Sequence, residues 1–159
     1  MKKTKVVSLK KMKWNLWLLG VFKIPLIAFV RPRLLKMTDE EVLVKIKFRR
    51  KTKNHLKSMY FGALAVGADV AAGIHAFYFA ETLGYKVSFA FKGMNAEFIK
   101  RAESDVFFNI TQGLLIKEAI EKSAKNEERI NQNIEVQAKG EGGELVATFT
   151  MIVSVKVKK

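Results

Sequence analysis

The longest apolar stretch, Met59–Leu83, carries apolar side chains on nearly every side of a helix, and Gly84 follows it as a typical helix stop. A helix that is apolar all round is buried in a protein core or in a membrane. Phe61–Ala80 is long enough to cross a bilayer, but Asp69 would then lie near mid-membrane, at a cost of about 2.5–3.5 kcal/mol. We therefore predict a buried helix over residues 59–83, whose many Ala and Gly residues let a curved sheet approach closely.

Alternating apolar and polar positions predict strands along the rest of the chain. The predicted strands are Val42–Phe48, Tyr85–Phe91, Ala96–Ala102, Val106–Thr111, Ile130–Lys139 and Glu144–Val157, with a helix over Leu114–Lys125. Gly93–Asn95 is expected to separate two of these strands, and Gly140–Gly143 to form a hairpin turn. Short connections imply an antiparallel sheet, so the fold class is α+β, with one sheet against one long helix. The limited sheet and large apolar helix suggest that a second copy completes the burial.

The N-terminal third begins with a basic arm, predicted over residues 1–13, and a single domain is predicted over residues 14–159. The apolar run Trp14–Val30 resembles a signal peptide or membrane anchor, but its 17 residues fall short of the roughly 20 that a span needs. Lys23 and Pro25 also interrupt it. The alternatives are a short amphipathic helix that packs on the domain, broken near Pro25, and an interfacial helix on a membrane surface.

Composition changes this picture mainly through charge. The 159 residues carry a net charge of +14 and no cysteine. The whole excess belongs to residues 1–57, which hold 17 Lys and Arg against 3 acids, whereas the remainder is balanced. No disulfide framework or thiolate site is possible, and with two histidines we expect no metal. The charge suggests an anionic partner, but no motif predicts specific nucleic-acid binding. Weak association with anionic membranes through Trp14, Trp17 and the flanking lysines is more credible.

Several short motifs occur in a recognisable order over residues 14–157. They are Asn54-His55, Ser58–Leu64, Asp69, Glu97–Ala102, Asp105-Val106, Glu128-Arg129 and Gly143–Ala147. Their order and spacing resemble the hotdog fold, in which an antiparallel sheet wraps a central helix and two copies form a dimer with a continuous sheet. The specific resemblance is to the PaaI-like thioesterases and, among them, to the uncharacterised DUF4442 family.

This resemblance implies an acyl-CoA or related thioester hydrolase with its site at a dimer interface. Asp69 matches the family's catalytic acid, and the backbone near Gly62 matches the site that polarises the thioester. Asn54 falls where the family often has a polar residue near the reacting centre, and His55 is a further catalytic candidate that could instead orient the loop. Tyr60 stands where many active members have the histidine of a His-Gly-Gly stretch. This departure favours the alternative, a protein that binds acyl thioesters or lipids without hydrolysing them.

The chemistry is physically reasonable for these residue types. A helix start offers unpaired N–H groups that can stabilise an oxyanion. A carboxylate in an apolar helix should have a raised pKa and could act as general base or nucleophile. Asp69 follows Gly62 by seven residues, about 10 Å along a helix, so a two-fold dimer is needed to bring them together. Asp69 could alternatively be a structural acid, and His75 is expected to be a core or interface histidine.

The remaining predictions concern the ligand and the setting. The candidate substrate-binding residues are Ser58, Phe61, Arg50, Lys53, Lys57, Lys100 and Arg101. The basic members would attract the phosphates of coenzyme A, although they could equally form a solvated surface. We expect no cofactor other than coenzyme A as part of the substrate, a homodimer or tetramer, and a cytoplasmic or peripheral membrane location.

Overall fold

The structure, a computed structural model, describes residues 6–158. Its centre is one six-stranded sheet of order β1-β2-β4-β5-β6-β3, in which all neighbouring strands run antiparallel. The strands are β1 (Arg33–Met37), β2 (Val42–Ile46), β3 (Lys86–Phe98), β4 (Val106–Ile110), β5 (Ile130–Lys139) and β6 (Leu145–Lys158). This architecture confirms the predicted α+β class.

The long helix α3 (Phe61–Leu83) lies in the core and packs against β2, β4, β5, β6 and β3. By length and composition it could cross a membrane, but 67% of its most apolar window is buried inside the fold. The predicted buried helix is therefore confirmed. Gly84 ends it in the left-handed conformation (φ 69°) that glycine adopts readily. The second predicted helix forms α4 (Gly113–Asn126).

One side of α3 is held by the turn between β1 and β2. The His75 ring is fully buried, and its Nε2 lies 2.9 Å from the Thr38 carbonyl oxygen, to which it donates a proton. The Tyr78 hydroxyl donates to Asp39 at 2.7 Å. These contacts orient the helix and confirm that His75 is a core histidine.

An N-terminal helical layer, residues Leu9–Val30, packs on the domain. It consists of α1 (Leu9–Leu18), a π-helical turn (Leu19–Lys23) and α2 (Pro25–Val30). The predicted break near Pro25 is present, since Pro occupies the first position of α2. Ser8 caps α1, which therefore begins before Trp14, and the last residues of the expected arm are helical. Residues 1–5 of that arm lie outside the described part of the chain.

Two strand predictions were wrong. Tyr85–Phe91 and Ala96–Ala102 are not separate strands, because β3 runs without interruption to Phe98 with an irregularity between Phe91 and Gly93. β1 was missed, since its sequence Arg-Leu-Leu-Lys-Met does not alternate. The predicted hairpin at Gly140–Gly143 is confirmed, with the Gly140 N–H donating to the Glu144 carbonyl at 2.9 Å.

Candidate functional site

Asp69 lies on the face of α3 that is turned away from the β1–β2 turn, and it lines an apolar cavity of about 850 Å³. Burial raises the pKa of its carboxyl group above the ordinary value of 3.8. Within residues 6–158 we find no hydrogen bond or ion pair to this carboxylate. An unpaired, partly buried carboxylate is costly for a purely structural role, and such groups cluster at functional sites.

The cavity lies between the N-terminal helical layer and the central helix. α3 contributes one face, β3 contributes Val87 and Phe89, and the helical layer contributes Leu16, Phe22 and Lys23, among others. The layer is held over α3 by its contact with Arg49, whose guanidinium donates to the last carbonyl groups of α2, at Phe29 (2.7 Å) and Val30 (3.0 Å). Sequence reasoning missed this role of Arg49, and it missed the layer as a cavity wall.

The start of α3 forms a second feature of the site. The first N–H groups of the helix, at Phe61 and Gly62, have no carbonyl partner within the helix and lie at its positive end. The Tyr60 ring covers Gly62 so closely that a Cβ at that position would lie 2.4 Å from the ring. A larger residue at this position would therefore force the half-exposed Tyr60 ring to move. The rings of Tyr60 and Phe61 are each about half exposed and contact each other.

A tight loop leads into this helix start. The Asn54 side-chain oxygen accepts hydrogen bonds from the backbone of Leu56 (2.9 Å) and Ser58 (3.1 Å) and from the Ser58 hydroxyl (3.2 Å). Asn54 and Ser58 thus shape the loop, and His55 is exposed on it. Lys57 adopts a left-handed backbone conformation (φ 59°) in the same loop.

Basic side chains surround the loop. The Met59 N–H donates to the Ala102 carbonyl at 2.7 Å, which brings the segment that carries Lys100 and Arg101 beside the start of α3. All five predicted basic residues are exposed, namely Arg50, Lys53, Lys57, Lys100 and Arg101. Exposed positive charge of this kind favours anionic ligands in general. Among residues 6–158, no group of three His, Asp or Glu side chains could hold a metal ion.

One protomer does not bring the two halves of the predicted site together. Asp69 lines the cavity, whereas Gly62 and the loop before it are not part of the cavity wall. The two residues are separated by about 10 Å along the helix axis, at 1.5 Å per residue. Asn54, His55, Ser58, Tyr60 and Phe61 all group with Gly62 rather than with Asp69.

Comparison with solved structures identifies the class of fold that this geometry represents. A protein of Shewanella oneidensis that is proposed to be a thioesterase superposes with a TM-score of 0.79 at 15% identity, over 93% of this chain and 99% of that chain. A Chlorobaculum tepidum protein of unknown function superposes with a TM-score of 0.81 at 8% identity, over 94% of this chain and 96% of that chain. A thioesterase from Haemophilus influenzae superposes with a TM-score of 0.68 at 11% identity, over 99% of this chain and 96% of that chain. The chain has the hotdog fold, as predicted.

The sequence itself identifies the family. Residues 13–155 match the family described as Domain of unknown function (DUF4442). The chain therefore belongs to the DUF4442 family, which confirms the predicted membership. Among curated proteins, none matches this sequence.

Proposed function

We propose that this protein hydrolyses acyl thioesters, with acyl-CoA as the substrate class. The observation that carries the proposal is the Asp69 carboxylate, which stands unpaired on the wall of an apolar cavity in a hotdog fold. The thioesterase from Haemophilus influenzae, which shares this fold, supports the same reaction class. Coenzyme A is part of the substrate, and the chemistry requires no other cofactor.

The reaction needs a base and a stabilised oxyanion. Asp69 removes a proton from a water molecule as the water oxygen attacks the thioester carbonyl carbon. The negative charge moves to the carbonyl oxygen, where N–H groups at a helix start stabilise it. The C–S bond then breaks and the carbonyl re-forms. The leaving thiolate takes up the proton that Asp69 removed from water. The products are a carboxylic acid and a thiol.

A second copy of the chain supplies the missing half of this site. β3 is an edge strand of 13 residues, and its outer edge offers unpaired backbone groups with which another strand can pair. Near its end, the exposed Phe98 ring contacts Phe61, which contacts Tyr60. Pairing two β3 strands about a two-fold axis would cover these rings and place the helix start of one protomer near Asp69 of the other.

Thiol release from acyl-CoAs of several chain lengths tests the reaction. Asp69→Asn should abolish release, because the amide cannot accept the proton from water. Glu118→Gln is the matched control, since Glu118 is exposed on α4. Release that survives Asp69→Asn would exclude this residue as the base.

Mixed dimers test whether the site is shared between protomers. Asp69→Asn and Gly62→Val should each be inactive, the latter because the valine side chain and the Tyr60 ring that it displaces would obstruct the N–H groups at the helix start. Unfolding and remixing the two variants should restore about a quarter of the activity, since half of the dimers are mixed and each has one intact site of two. A site built within one chain would give no recovery.

A second candidate function, attachment to an anionic membrane surface, rests on exposed aromatic side chains of the N-terminal helical layer. Trp14, Trp17 and Phe22 are 58%, 52% and 72% exposed, and the Trp17 ring contacts the rings of both Trp14 and Phe22. No acidic residue occurs in residues 1–38, so the sequence that carries this aromatic group is basic. Aromatic rings beside lysines suit the interface of an anionic bilayer. Vesicles with anionic lipid should bind the protein at low salt, and Trp14→Ser with Trp17→Ser should remove the binding.

A further inference from the structure

The face of α3 that lines the cavity has a composition suited to one kind of ligand. Its lining residues are Asp69, Val70, Gly73, Ile74, Phe77, Ala80 and Glu81, which recur at helical spacing along one side. Gly73 and Ala80 are small, so the middle of this face is a shallow trough between larger neighbours. The polar groups lie at its ends, with Asp69 at one and Glu81 at the other.

The length of the trough matches a hydrocarbon chain. Asp69 and Glu81 are 12 residues apart, which is about 18 Å along the helix. The hydrocarbon core of a bilayer is about 30 Å thick, so one lipid chain extends over about 15 Å. The volume of about 850 Å³ is toward the upper end of the range for ligand pockets.

The charges of the wall suit an apolar tail with a polar head at one end only. Glu81 forms an ion pair with Lys11 and so presents no unpaired carboxylate at its end. Asp69 is unpaired at the opposite end, where burial raises its pKa. The rest of the described wall is mainly aliphatic and aromatic, and the helical layer adds the polar side chains of Asn15 and Lys23.

The helical layer that covers this space packs closely on itself. Gly20 lies against Ala28, and a Cβ on Gly20 would be 3.0 Å from the Ala28 backbone nitrogen. This close approach packs α2 against the π-helical turn. π-Helical turns are uncommon and often occur at functional sites. Here the turn places Phe22 and Lys23 on the cavity wall.

We propose that this cavity holds the hydrocarbon tail of a long-chain fatty acyl thioester, with the tail lying along α3 from Asp69 towards Glu81. The inference rests on the proposed function and names the acyl group on which it acts. It also assigns the N-terminal helical layer as the element that selects chain length. Burial of each methylene is worth about 0.8 kcal/mol, so kcat/KM should rise about fourfold per added methylene until the cavity is full.

The experiment compares butanoyl-, octanoyl- and hexadecanoyl-CoA in hydrolysis, and measures binding of hexadecanoate by calorimetry. Gly73→Leu and Ala80→Leu each fill part of the trough with a large side chain. Leucine is a strong helix former, so α3 itself should remain folded. Each should lower the ratio of hexadecanoyl to butanoyl kcat/KM and weaken hexadecanoate binding at least tenfold. Ala124→Leu, on α4 outside the cavity wall, is the control and should change neither.

The two readouts separate this inference from the reaction itself. Tight hexadecanoate binding that both trough variants weaken, without any thiol release, would support the tail site and overturn the proposed hydrolysis. The tail site would be overturned if kcat/KM were equal for all chain lengths and if the folded variants Gly73→Leu and Ala80→Leu left these values unchanged. Failure of wild-type protein to bind hexadecanoate would also overturn it.

Discussion

Two glycines on α3 should respond in opposite directions to the same substitution, Gly→Ala. Gly67 faces Phe108, and a Cβ added to Gly67 would lie 2.3 Å from two carbons of that ring. Gly73 faces the cavity, and its added Cβ would find Phe89 at 3.6 Å, an ordinary contact. Both positions are buried in the interior of the same helix, so their backbone contributions are nearly equal.

The expected magnitudes follow from these distances. Alanine is favoured over glycine in a helix interior by about 0.5–1 kcal/mol, so Gly73→Ala should stabilise the protein by that amount. At Gly67, carbon atoms normally separated by at least about 3.5 Å would overlap by about 1.2 Å (3.5 − 2.3). Phe108 is fully buried, so its ring can move only if its closely packed neighbours also move. Overpacking at the upper end of its range costs about 3 kcal/mol, which leaves Gly67→Ala destabilised by about 2 kcal/mol.

Urea unfolding followed by circular dichroism measures both variants, at one protein concentration because association adds to stability. The two midpoints should fall on opposite sides of the wild-type midpoint, with similar slopes. In thermal unfolding the variants should differ by roughly 6–12 °C, at 2–4 °C per kcal/mol for a chain of this size. If Gly67→Ala were as stable as Gly73→Ala, the close packing of α3 on β4 would be refuted.

Three further predictions concern charge and the N-terminal layer. Burial raises the pKa of Asp69, so its ionised form opposes folding. Asp69→Asn should therefore stabilise the protein at pH 8. This gain in the free energy of unfolding should vanish below the ordinary pKa of 3.8. Burial lowers the pKa of His75, so the stability of the wild-type protein should fall as the pH drops below 6.5, by up to about 1.36 kcal/mol per pH unit. His75→Gln should remove this dependence when unfolding is measured at several pH values. Arg49→Met removes two hydrogen bonds to α2 and should cost about 1–2 kcal/mol, with faster proteolysis of the helical layer; unchanged proteolysis would contradict this role.

The candidate site was only partly predictable from sequence. Asp69 was recognisable because it is the one charged residue within Phe61–Ala80, and its raised pKa follows from that apolar setting. The role of Asn54 as the residue that shapes the loop was not recognisable, since an Asx turn depends on which backbone groups come within reach. The cavity wall was missed because Phe22 and Lys23 lie nearly forty residues before the start of the helix that they face.

Local patterns in the sequence determine the long buried helix, the hairpin at Gly140–Gly143 and the uneven charge, since each depends on neighbouring residues. Only the tertiary structure decides that β3 continues past Gly93. The Gly-Met-Asn sequence is typical of a turn, but twelve residue pairs with β6 hold it extended. Tertiary packing likewise leaves a cavity beside Asp69 instead of a filled core. Pairing and packing join segments far apart in the chain, and such contacts leave no local signal.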